Sequence, residues 1–153
     1  MTTLYLKADD SIAPYVILSG DPWRVETLAG LLDEPRHIAL PRGYNTYTRS
    51  HRRGPAAIPS PGIGGPSAAI AMEELYECGM RVAVRMGTVM ALDDDLLGKF
   101  VIPVASIRAE GTTEAYAPPG YPAVADFELV RHLNDAVTAA GSEYVNGLNC
   151  TLD

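Results

Sequence analysis

Two hydrophobic periods alternate along this chain, and their order reads strand, helix, strand. Tyr15-Val16-Ile17-Leu18 is a short apolar run halted by Ser19-Gly20-Asp21-Pro22, which predicts a buried strand entering a turn. From Arg24 onward Val25, Leu28, Leu31 and Leu32 share one face of a predicted helix. His37 to Pro41 is a second candidate strand, and Tyr44 to Arg49 alternates as one hairpin arm. The basic group Arg49, His51, Arg52, Arg53 before Gly54-Pro55 marks its tip and is read as a solvated turn.

The clearest unit runs from Ser60 to Met90. The turn Gly62-Ile63-Gly64-Gly65 leads into a helix with Pro66 in its first turn, where a missing N–H costs nothing. Ile70 is assigned to the apolar side of that helix, and Glu73, Glu74 and Glu77 to a solvated side. Val82-Ala83-Val84 reads as a short strand buried on both faces, as parallel strands of α/β sheets are. Arg85, Gly87 and Thr88 then stand at its carboxyl end.

Beyond Met90, Asp93-Asp94-Asp95 reads as a solvated loop rather than a metal site, since ligands must converge from different elements. Phe100 to Pro103 and Val104 to Ile107 are strand-like, and 111–122 forms a loop rich in Thr, Pro and Tyr, of a kind that often borders a pocket. A last helix spans Ala125 to Ala140 with Phe127, Val130, Leu133 and Val137 inward, and Tyr144 to Leu148 is a final strand. Residues 1–153 are read as a single doubly wound α/β domain.

Composition narrows the function. A formal charge of −7 argues against nucleic acid, whose binders carry a basic surplus. No apolar run approaches a membrane span and the first residues are not a secretory leader, so a cytoplasmic protein is expected. Cys78 and Cys150 lack metal-type spacing and read as buried free thiols. Twelve residues are basic, and ten of these are arginine, the side chain suited to bidentate oxyanion contacts.

Two places look made for an anion. At the first, Gly20 lets the backbone approach closely, free amides open the helix and Arg24 adds charge. At the second, Arg85 and Thr88 stand at a strand's carboxyl end, where open α/β sheets bind ligands. Gly62-Ile63-Gly64-Gly65 is not a dinucleotide fingerprint, because Ser67 replaces the third glycine and Arg85 occupies the place of the ribose-reading carboxylate. No cofactor and no metal are expected.

Together the motifs resemble the uridine phosphorylase branch of the nucleoside phosphorylases. The resemblance rests on 13–24, on Arg42-Gly43-Tyr44-Asn45-Thr46-Tyr47-Thr48, on 62–71, on Arg85-Met86-Gly87-Thr88 and on 121–128, in family order. It implies a mixed central sheet flanked by helices, and reversible phosphorolysis of a ribonucleoside, a pyrimidine one in this branch, to base and ribose 1-phosphate. Phosphate is then a co-substrate. Gly20, Arg24, Arg85 and Thr88 would hold it, with Arg85 and Thr88 at the reacting centre. Arg42 would reach the neighbouring subunit's site, which implies a homo-oligomer built on a dimer.

The departures from the family pattern lie on the sugar and base side. Leu4-Tyr5-Leu6-Lys7 stands where relatives carry a histidine, Ser60-Pro61-Gly62 replaces Ser-Thr-Gly, and Val89-Met90 follows Thr88 where a glycine is usual. Tyr5, Val89 and Met90 are therefore assigned to the pocket rim, with the Tyr116 to Tyr121 loop beside them. The chain ends where the family continues, so a second polypeptide is expected to complete the base and ribose site. The alternatives are a repurposed short homologue that keeps the anion pocket for another substrate, and a non-catalytic assembly partner.

Overall fold

The computed structural model describes residues 3–6, 14–38, 43–51 and 54–152. Pro41 and Arg42, and the hairpin-tip side chains of Arg49, His51, Arg52 and Arg53, lie outside that description. The chain divides into two compact units, 1–88 and 89–153.

The first unit is built on a sheet of five strands: β1 (Tyr15–Leu18), β2 (Arg36–Ile38), β3 (Asn45–His51), β4 (Gly54–Ser60) and β5 (Val82–Arg85), in the order β2-β3-β4-β1-β5. β1 is parallel to both β4 and β5, whereas β2, β3 and β4 pair antiparallel. The carboxyl ends of β4, β1 and β5 consequently share one edge of the sheet. Helix α1 (Pro22–Ala29) follows β1, and α2 (Gly65–Glu77) joins β4 to β5. The core gathers Leu6, Val16, Leu18, Tyr44, Ala71, Leu75 and Met80, with Tyr5 and Ile70 at its margin.

Several expectations change here. α1 stops at Ala29 with Gly30 as its cap, so Leu31 falls outside the helical repeat and is exposed while Leu32 is buried. β5 is an edge strand of this sheet and its apolar residues are only half-buried. β4 carries Pro55 and Pro59, which hid it as a strand; it pairs with β3 throughout and with β1 only at Ala56 and Ala57, so little of its length needs both sets of donors. Glu74 is buried rather than solvated, because its carboxylate accepts from the amides of Leu4, Tyr5 and Leu6 at 3.0, 2.8 and 2.7 Å.

The second unit holds a three-stranded sheet, β7-β6-β8, of β6 (Phe100–Ala109), β7 (Ala123–Val124) and β8 (Tyr144–Leu152). The two predicted segments 100–103 and 104–107 are one strand whose register against β8 shifts between Pro103 and Ala105. Helix α3 (Phe127–Ala139) is capped by Asp126, which accepts from Leu129 N at 2.8 Å. Val130 is buried and Leu133 and Val137 are half-buried, but Phe127 is exposed. Helical Cβ atoms tilt towards the N-terminus, so the first residue projects past the helix end. Cys150 is exposed on the edge strand β8, and Cys78 is buried; neither forms a disulfide among the described residues. Asp93, Asp94 and Asp95 are exposed, and Asp93 accepts from Asp95 N at 2.9 Å. Among the described residues no helix is long and apolar enough to cross a membrane.

Near the end of β6, Arg108 ties the 111–122 loop to the sheet. Its Nε donates to Thr113 Oγ1 at 2.8 Å, Nη1 to the carbonyls of Pro118 and Tyr121 at 3.0 Å each, and Nη2 to those of Thr113 and Ala117 at 2.8 Å each. Glu110 accepts from Thr113 Oγ1 and, at 3.1 Å, from Thr113 N. The Thr113 hydroxyl bond is the main reason that the Glu110 carboxyl is held below its ordinary value. A lowered folded-state value adds stability above the unfolded carboxylate range and loses it as pH falls through the lowered value. Thermal unfolding from about pH 7 down to about pH 2 should therefore show the parent more stable than Glu110→Gln at neutral pH, with the gap closing in acid. A gap independent of pH would contradict this account.

Candidate active site

The common carboxyl edge of β4, β1 and β5 is fixed by backbone bonds. Ser19 N donates to Pro59 O at 3.1 Å and Met86 N to Leu18 O at 2.8 Å, with Leu18 in register with Arg85. Three turns therefore leave the sheet side by side: Ser19 to Asp21, Pro61 to Gly64, and Met86 to Thr88. Gly20, Gly62 and Arg85 meet there. A Cβ placed on Gly20 would lie 3.1 Å from Gly62 O and 3.5 Å from Arg85 Nη2, so a side chain at Gly20 would crowd a backbone carbonyl. Gly62 and Gly64 have φ of 76° and 100°, the left-handed backbone that glycine tolerates.

Arg24 lies in the first turn of α1 and is half-buried; Arg85 is exposed at the end of β5. Neither guanidinium has a hydrogen bond or ion pair among the described residues. The start of α1 is less open than its sequence suggests. Pro22 brings no N–H, and Asp21 already accepts from Trp23 N at 2.9 Å, so the charge of Arg24 matters more than spare amides. Ser60 Oγ, fully buried at the end of β4, has no hydrogen-bond partner among the described residues.

The other predicted site residues are distributed as follows. Thr88 is exposed just beyond β5, and Arg42 lies outside the described residues. Tyr5 is half-buried, with its ring tilted against that of Tyr44 at 6.4 Å between centroids, so it packs on the core of the first unit. Val89 and Met90 are exposed and belong to the second unit. In that unit Ser106, Arg108, Glu114, Tyr121 and Pro122 help line a shallow cleft of about 260 Å³, and Tyr116 and Tyr121 are exposed in its loop. No group of three or more His, Cys, Asp or Glu placed to hold a metal occurs among the described residues.

Two features of the first unit have no counterpart in the sequence reading. One is the Glu74 carboxylate that gathers the amides of Leu4 to Leu6. The other is the pair Tyr44 and Ser67, whose hydroxyls meet at 3.1 Å. The residue types gave little signal, because each is an ordinary helix or strand residue until distant segments meet.

Residues 14–153 match the family model described as the phosphorylase superfamily. The chain belongs to that superfamily. Uridine phosphorylase from Thermococcus kodakarensis is 41% identical over 143 residues, 93% of this chain and 52% of its own length. Uridine phosphorylase from Escherichia coli is 37% identical over 148 residues, 96% of this chain and 58% of its own. A solved structure of purine nucleoside phosphorylase from Toxoplasma gondii, in complex with immucillin-H, superposes with a TM-score of 0.92 at 30% identity, covering 98% of this chain and 62% of that one. The chain thus spans little more than half the length of these relatives. The α/β fold expected from the resemblance holds, and so does its nucleoside phosphorylase kinship.

Proposed function

We propose that this chain binds inorganic phosphate at the shared edge of β4, β1 and β5 and uses it to cleave a ribonucleoside. The observation that carries the reading is the meeting of Gly20, Gly62 and Arg85 around a guanidinium left without a counter-charge among the described residues. A multiply charged oxyanion supplies that charge, and an arginine fork matches its geometry. Gly20 offers close backbone approach, Arg24 and Arg85 neutralise charge, and Thr88 adds a hydroxyl donor. Arg42 of a neighbouring copy completes the set in a homo-oligomer.

In the reaction a phosphate oxygen forms a bond to the anomeric carbon as the bond to the base nitrogen breaks. The base leaves with that electron pair and takes up a proton, and ribose 1-phosphate remains. Fixed cations beside the attacking oxyanion hold it in place while positive charge develops on the sugar. The relatives named above include uridine and purine phosphorylases, so both base classes belong in the test. Purified chain should release base from uridine or inosine only with phosphate present, read by ultraviolet absorbance, and should bind phosphate in a calorimeter. Failure of both would overturn the reading. Binding without turnover would favour the second reading, an anion pocket that serves another substrate or awaits a second chain, as Val89-Met90 beyond Thr88 suggests.

A further inference from the structure

Ser67 stands where a dinucleotide-binding turn would carry glycine, and neither the anion site nor the packing of the core accounts for its hydroxyl. That hydroxyl donates to the carbonyl of Pro61. Its partner on the other side is Tyr44 OH, 3.1 Å away, which itself lies 3.3 Å from Ser67 O. Tyr44 is buried in the core of the first unit, so its hydroxyl is a fixed point. The Pro61 carbonyl belongs to the peptide that enters Gly62, the residue whose own carbonyl abuts Gly20 beside Arg85. Helix α2 has no side-chain cap.

We infer that Ser67, oriented by Tyr44, is a positioning residue that sets the Pro61-Gly62 peptide and thereby the shape of the phosphate pocket. The inference rests on the phosphate reading above. A left-handed glycine turn has many accessible conformations in isolation, and a hydrogen bond to its first carbonyl selects one. The selection acts one peptide before the Gly62 carbonyl that abuts Gly20, so it reaches the ligand through geometry and not through charge. Ser67 touches no phosphate in this account. Its loss weakens anion binding because the pocket widens, while both arginines remain.

The test compares the full chain with Ser67→Ala, Ser67→Thr and Tyr44→Phe, using inorganic phosphate as the probe and backbone amide resonances as a second readout. In phosphate-free solution the Gly20 and Gly62 amides should shift in Ser67→Ala and stay near parent positions in Ser67→Thr, which keeps the hydroxyl. Phosphate affinity should fall about tenfold in Ser67→Ala, several-fold in Tyr44→Phe, and return to within about threefold of the parent in Ser67→Thr. Where turnover is measurable, the KM for phosphate should rise more than kcat falls. Tyr44→Phe keeps the buried ring, so it reports even if Ser67→Ala unfolds. Unmoved amides with unchanged affinity would overturn the inference and leave the phosphate site standing. A parent that binds no phosphate would overturn the phosphate reading instead, and the amide shifts alone would then decide whether Ser67 sets the turn.

Discussion

Replacing Arg85 by alanine is expected to lower phosphate affinity, and any phosphate-dependent base release, by about a hundredfold or more. The expectation follows from where the residue sits. β5 delivers it to the edge shared by three parallel strands, its Nη2 lies against Gly20, and it has no ion-pair partner among the described residues. A cation that already neutralised a carboxylate would lose little when a ligand left. This one has no such competing partner, so its interaction with an incoming dianion is undiluted. Stability should barely move, within about 0.5 kcal/mol, because the side chain is exposed and makes no hydrogen bond or ion pair among the described residues. Calorimetry with inorganic phosphate and a thermal melt separate the two effects. Arg85→Lys should recover only part of the affinity, since an ammonium keeps the charge but not the planar fork. An alanine variant that binds phosphate like the parent would remove Arg85 from the site.

That edge was legible in the sequence because each of its components has a local signal. Apolar runs end at glycines, a proline opens a helix, and an arginine follows a strand; the parallel pairing of β1 with β5 then places Leu18 and Arg85 side by side. The first and last helices were located for the same reason, although their ends were set by Gly30 and by the cap at Asp126. β4 was harder. Its two prolines read as breakers, and only the pairing with β3 shows that their missing donors are tolerated there.

What stayed hidden depends on contacts between distant segments. Glu74 lies between Glu73 and Glu77 in a pattern that reads as a solvated face, yet the arrival of residues 3–6 makes it a buried acceptor. Arg108 directly follows a predicted strand, and its role appears only when a later loop folds back to accept five donations from it. Charged residues in both places serve backbone groups. Sequence patterns report which residues prefer water, but not which amides will otherwise lack a partner.

Replacing Glu74 by alanine should therefore cost the first unit roughly 2–4 kcal/mol of stability. Three amides converge on one carboxylate, at 3.0 and 2.8 Å on Oε1 and 2.7 Å on Oε2. Water can take over at Leu4, which is exposed, but Leu6 is fully buried and its amide has no such recourse. Either that amide stays unsatisfied, or the segment peels away and withdraws the Leu6 side chain from its place among Val16 and Leu75; both routes cost free energy on the same scale. Glu74→Gln keeps the shape but replaces one acceptor by an NH2 that faces a donor, so an intermediate loss is expected. Denaturant unfolding measures the size, and hydrogen exchange identifies the cause: in the alanine variant the amides of Leu4 to Leu6 should exchange far faster than those of β1, while phosphate affinity falls much less than in Arg85→Ala. Parent-like exchange at Leu6 would mean that the segment is held by its side chains and that the carboxylate is dispensable.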